Sequence, residues 1–140
     1  MTQNNKLPRD DGIKVIELTK ADALAARSEY LAREQAFFDW WKKGVELAGY
    51  HYFGDGTKQG FVIAANKNDL RPVSEKITKS FGLIGNGEVA FLTAMYCFYN
   101  DIRGAELCAS AGVKSIGALT GLDIARREVI AGLLISYCGW

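Results

Sequence analysis

His51 is the chain's one histidine, flanked by Tyr50 and Tyr52 with Asp55 four residues on. Imidazole changes charge near neutral pH, so His51 could take a proton as a general base, with Asp55 to orient it. Arg27 and Glu34 interrupt an apolar helical stripe, and a charge on such a face can line a cleft. Arg27, Glu34, His51 and Asp55 therefore make up a candidate pocket. A nucleophile in a G-x-S-x-G elbow is absent from the sequence, so no catalytic residue is assigned. Cys97, Cys108 and Cys138 form no CxxC and have no histidine at ligand spacing. They are expected to be small buried side chains, with no metal, no cofactor and no disulfide framework. Lys114, Arg126 and Arg127 are the candidate contacts for an anion or a nucleic acid. Asp123, three and four residues before the arginine pair, offers those two an internal partner.

Two strings carry resemblances. Residues 61–70, FVIAANKNDL, set an apolar run before Asn-Lys-x-Asp, and this resembles the guanine-specificity motif of small GTPases. The resemblance implies that Asp69 would read a base, with Asn66 and Lys67 in support. It covers ten residues, and the chain has no G-x-x-x-x-G-K-[ST] to cradle phosphates. Residues 105–121 resemble a helix-turn-helix corner, with small Cys108 and the Gly112–Val113 pair near the turn. The second helix of that corner would carry Gly117 and Gly121, and before Thr120 its only polar side chains are Lys114 and Ser115.

The elements that would hold these residues follow from periodicity. Residues 1–12 are polar and read as a tail, with a single globular domain over 13–140. Residues 13–18 alternate well enough for a short strand. Thr19, with Asp22 three residues on, caps a long amphipathic helix over 21–47, in which Leu24, Leu31, Phe38 and Val45 recur every seven residues. Residues 49–53 and 60–65 read as two strands around Asp55–Gly56, a hairpin signal. Helices follow over about 72–81, 87–99 capped by Asn86, 101–111 capped by Asp101, and 124–138 capped by Asp123, with a short turn at 115–119. The second of these is apolar all round, as a buried central helix must be. The expected fold is α+β: a small N-terminal antiparallel or mixed sheet with a long amphipathic helix, then a compact all-helical C-terminal half.

Composition narrows the function classes. The 140 residues carry 17 Lys and Arg against 16 Asp and Glu, a net charge of +1, with no cationic surplus for nucleic acid or acidic membrane. No apolar stretch reaches the roughly 20 residues of a membrane span, and no secretory signal opens the chain, so a cytoplasmic location and no membrane partner are expected. Trp40 and Trp41 are adjacent, about 100° apart on a helix, and cannot both face one core. Trp40, Trp41, Tyr50, Tyr52 and Trp140 are the candidate interface residues. The reading that results is a non-catalytic protein–protein interaction module, self-associating as a homo-oligomer. The alternatives are a DNA-binding regulator using the 105–121 corner and a small ligand-binding domain or enzyme with a pocket near the 49–65 hairpin.

Overall fold

The computed structural model describes residues 19–140, all of whose regular elements are helices or 3-10 turns. These are α1 (Lys20–Ala48), α2 (Lys58–Ile63), α3 (Ser74–Ser80), α4 (Asn86–Tyr99), α5 (Asp101–Ser110) and α6 (Ile124–Ser136). Single 3-10 turns lie at Tyr50–Tyr52, Lys67–Leu70 and Ile116–Gly121. The sequence sets most of the boundaries through caps. The Thr19 hydroxyl accepts from the Asp22 N–H while the Asp22 carboxylate accepts from the Thr19 N–H, a reciprocal box that starts α1. Asp123 opens α6 by accepting from the Arg126 N–H. Asn100, not Asp101, caps α5, and α4 begins after Gly85 without a side-chain cap.

The expected α+β architecture is not found among the described residues. The segments read as strands at 49–53 and 60–65 are a 3-10 turn and α2, and the one β-bridge among the described residues pairs Phe53 with Pro72. The strand expected at 13–18 lies outside the described residues. The reason is local. Asp55 does not serve as a hairpin corner: its carboxylate accepts from both the N–H and the hydroxyl of Thr57. Thr57 in turn accepts from the Gly60 N–H and starts a helix where a second strand would begin. Gly54 and Gly56, at φ 59° and 79°, turn the chain into that cap. A short apolar run such as 61–65 suits either helix or strand, and here the N-cap decides.

α4 is the central element. Val89, Phe91, Leu92, Met95 and Tyr96 are buried, and α1, α3, α5 and α6 all pack against it. Phe37, Trp41 and Val45 of α1 and Val129 and Leu133 of α6 complete the core. Gly44 lets α1 approach α4 and α6 closely, since a Cβ there would lie 2.6 Å from the Met95 methyl carbon. The first half of α1 is different. Every residue from 20 to 33 is exposed, so this half stands clear of the rest of the described chain.

Candidate functional site

Two constellations concentrate the side chains able to bind or react. The first lies where the C-terminal residues return to α1. Lys67 is buried, and its ammonium donates to Glu34 Oε1 at 2.9 Å and to the Gly139 carbonyl at 2.6 Å. The rings of Phe37 and Trp140 lie 5.5 and 5.4 Å from the same nitrogen, within cation–π range. The Cys138 thiol donates to Glu34 Oε1 at 3.2 Å, and the Tyr30 hydroxyl donates to the same oxygen at 3.3 Å. Burial alone would raise the Glu34 carboxyl, but the hydrogen bonds from Lys67 and Cys138, with the Lys67 charge, outweigh it and hold it below the ordinary value. The Cys138 thiol is pushed up, first by burial and then by Glu34. The polar groups here are satisfied by one another, and the cluster pins the C-terminus rather than presenting a reactive face.

This arrangement also accounts for the Asn-Lys-x-Asp string. Asn66 accepts from the Asn68 N–H, and Asp69 accepts from the Ala65 and Asn66 N–H groups at 2.8 and 3.3 Å. All three residues of the motif thus serve the local turn or the ion pair, and a base-reading role would need Asp69 and Lys67 free.

The second constellation is an apolar groove of about 720 Å³ over α4, walled by α5 on one side and by the 3-10 turn and α6 on the other. Ala94, Cys97 and Phe98 form its floor, and Ala105, Leu119 and Leu134 are among its walls. Cys97 and Cys108 both line it, with their sulfurs 3.7 Å apart. Lys114 and Ser115 stand on its exposed rim. A second hollow, with Ile102 and Tyr137 in its lining, shares Cys97, Phe98 and Leu134 with the first. Ile102, Ile116 and Leu134 are exposed along this face. Small side chains at Ala94, Ala105 and Ala109 create the hollow. No sequence signal marked it, because its walls come from three elements whose mutual placement periodicity does not encode.

The pocket residues read from sequence are dispersed. Arg27 is exposed on the free half of α1, Glu34 pairs with Lys67, His51 is exposed in a 3-10 turn, and the Asp55 carboxylate is taken by Thr57. Asp55 is held below its ordinary value by its hydrogen bonds from Thr57. The 49–65 hairpin is absent, and the two hollows described above lie over α4. Of the candidate interface residues, Trp41 is fully buried and donates to the Leu70 carbonyl at 2.9 Å. Trp140 packs edge-on against it at 4.8 Å and donates to Asn68 Oδ1 at 3.1 Å. Trp40 lies against Gly132 of α6, with Lys43 over its ring at 4.4 Å. Tyr50 packs on Phe61, and Tyr52 on His51.

The cationic candidates are also partly committed. Arg126 pairs with Asp123, donates to the Leu47 carbonyl at 3.1 Å and lies over Phe91 at 5.6 Å. The backbone bond from Arg126 chiefly holds the Asp123 carboxyl below its ordinary value. Arg127 donates to the carbonyls of Leu122 and Thr120. Lys114 remains exposed. The corner at 105–121 runs from α5 into the six-residue 3-10 turn Ile116–Gly121, not into a second α-helix. Comparison with protein-family models, with curated proteins and with solved structures finds no match. No described helix is long and apolar enough to cross a membrane.

Proposed function

We propose that this chain is a non-catalytic protein–protein interaction module that pairs with a second copy of itself through the free half of α1. The reading rests on one observation: the apolar stripe of α1 runs past the edge of the core. Val45 and Phe38 are 0% and 9% exposed, whereas Leu31 and Leu24, seven and fourteen residues before Phe38, are 54% and 68% exposed. Ala21 and Ser28 stand three residues before each leucine, which gives the three–four spacing of a coiled-coil seam with small residues at alternate positions. No described residue covers this seam. A second α1 is the simplest cover, since a two-fold axis sets one stripe against an identical one.

Light scattering after gel filtration tests this reading. The unsubstituted chain is expected to run as a dimer, and the Leu24→Glu/Leu31→Glu double variant as a monomer of unchanged helicity. A chain that is monomeric up to high micromolar concentration would sink the proposal.

A second reading has its own observation. The groove over α4 has a volume within the range of about 300–1,000 Å³ typical of small-ligand sites, and its lining is mostly apolar. A small apolar molecule would then be the ligand. A polarity-sensitive dye that brightens with the unsubstituted chain, and much less with Ala105→Trp, would favour it.

A further inference from the structure

We propose that Cys97 and Cys108 are a reversible dithiol–disulfide pair, oxidised by small-molecule disulfides that enter the groove over α4. The geometry begins at Gly104. A Cβ on this helical residue would lie 2.7 Å from the Cys97 Cα, so glycine is what allows α5 to lie directly on α4. Residues four apart share a helix face, and one turn after Gly104 that face presents Cys108. Its sulfur thereby comes to 3.7 Å from that of Cys97, across a separation of eleven residues. Bond formation needs the sulfurs to close to about 2.05 Å, a movement on the scale of side-chain rotation. Both residues line the open groove, which gives a small disulfide its path. Cys138, by contrast, is bonded to Glu34 and has no such sulfur partner.

The exchange balances without any other reactant. The Cys108 thiolate attacks one sulfur of the incoming disulfide, breaks its S–S bond and expels one thiolate, which takes up a proton from solvent. Cys97 then gives its proton to solvent and attacks the Cys108 sulfur, expelling the second thiolate. The protein dithiol loses two electrons and two protons, and the small disulfide is reduced to two thiols. Attack by Cys97 first would give the same disulfide and the same two thiols, since both sulfurs line the groove. The Cys97 thiol is pushed up to about 12, mainly by burial and then by Cys108 and Asp101. Once Cys108 carries a neutral mixed disulfide, its charge no longer opposes ionisation of Cys97.

Equilibration of the folded, reduced chain in glutathione buffers of rising disulfide fraction, with free thiols alkylated before peptide mapping, tests the pair. The expected product is a Cys97–Cys108 cross-link that has lost two hydrogens, while Cys138 stays alkylated. Because the second step is intramolecular, the pair should be half-oxidised at a glutathione disulfide fraction at least about tenfold below that needed to modify Cys138. The Cys97→Ser variant should instead accumulate a glutathione adduct on Cys108. If Cys97 and Cys108 stay free where the urea-unfolded chain is oxidised, the proposal is wrong. It is equally wrong if cross-links to Cys138 dominate in the folded chain. The map of the unsubstituted protein decides the matter even if Cys97→Ser does not fold.

Discussion

At the scale of single residues, Lys67 has the most constrained position. Its ammonium has left water for one carboxylate oxygen, one carbonyl and two ring faces. Removing one partner of such a pair strands the other charge, which typically costs about 3–5 kcal/mol in a buried site. Glu34 keeps a quarter of its side-chain surface, so Lys67→Met is expected near the lower end, about 3 kcal/mol in urea unfolding. Adding Glu34→Leu should restore most of that loss, because no unpaired charge remains. A pH dependence follows from the same contacts. Glu34 and Asp123 are both held below their ordinary values in the fold. As pH falls, the unfolded chain takes up these protons first. The stabilisation is complete above the unfolded values, about 3.9–4.3, and is lost as pH falls through the lower folded values. Urea midpoints measured downward from pH 6 should decline through this window, and Glu34→Gln should flatten part of the decline. The role of Lys67 was not legible from its sequence. Its string suggested a nucleotide, whereas its partners lie 33 and 72 residues away.

At the scale of elements, the contact between α1 and α6 depends on Gly132 as well as on Gly44. Gly132 leaves room for the Trp40 indole, and a Cβ at 132 would meet the ring itself. Gly132→Ala is therefore expected to destabilise by about 1–3 kcal/mol, the usual cost of overpacking, with the helical circular dichroism of the folded state unchanged. The sequence showed that Trp40 and Trp41 could not share a face, and the structure gives each its own neighbour: Trp41 the core, Trp40 the α6 surface. Long periodic helices were the readable part. α1, capped by Thr19, and α6, capped by Asp123, begin where their caps lie. The segment 49–65 was misread because Asp-Gly followed by Thr is compatible with both a hairpin corner and a helix cap.

At the scale of the whole molecule, one helix runs past the core it packs on, with residues 20–33 all exposed. If the free half of α1 is covered by a second copy, folding and association are linked by mass action. The melting temperature of the unsubstituted chain should then rise with protein concentration, whereas that of Leu24→Glu/Leu31→Glu should not. Scanning calorimetry over a hundredfold concentration range would separate the two. A concentration-independent melting temperature for both would argue for a monomer.

The amino-acid sequence by itself determined the helices with strong apolar periods, the Thr19 and Asp123 caps and the all-round apolar character of α4, because these depend on neighbours within a few residues. It also determined that α1 carries a seven-residue stripe over its full length. Tertiary structure decided which part of that stripe is buried, turned 61–63 into a helix with no partner strand beside it, and joined Lys67 to Glu34 and the C-terminus. It also brought Cys97 and Cys108 together through Gly104 and left a groove over α4. Each of these depends on the distance between elements remote in the chain, which side-chain volume at crossing points such as Gly44, Gly104 and Gly132 sets and local pattern does not encode.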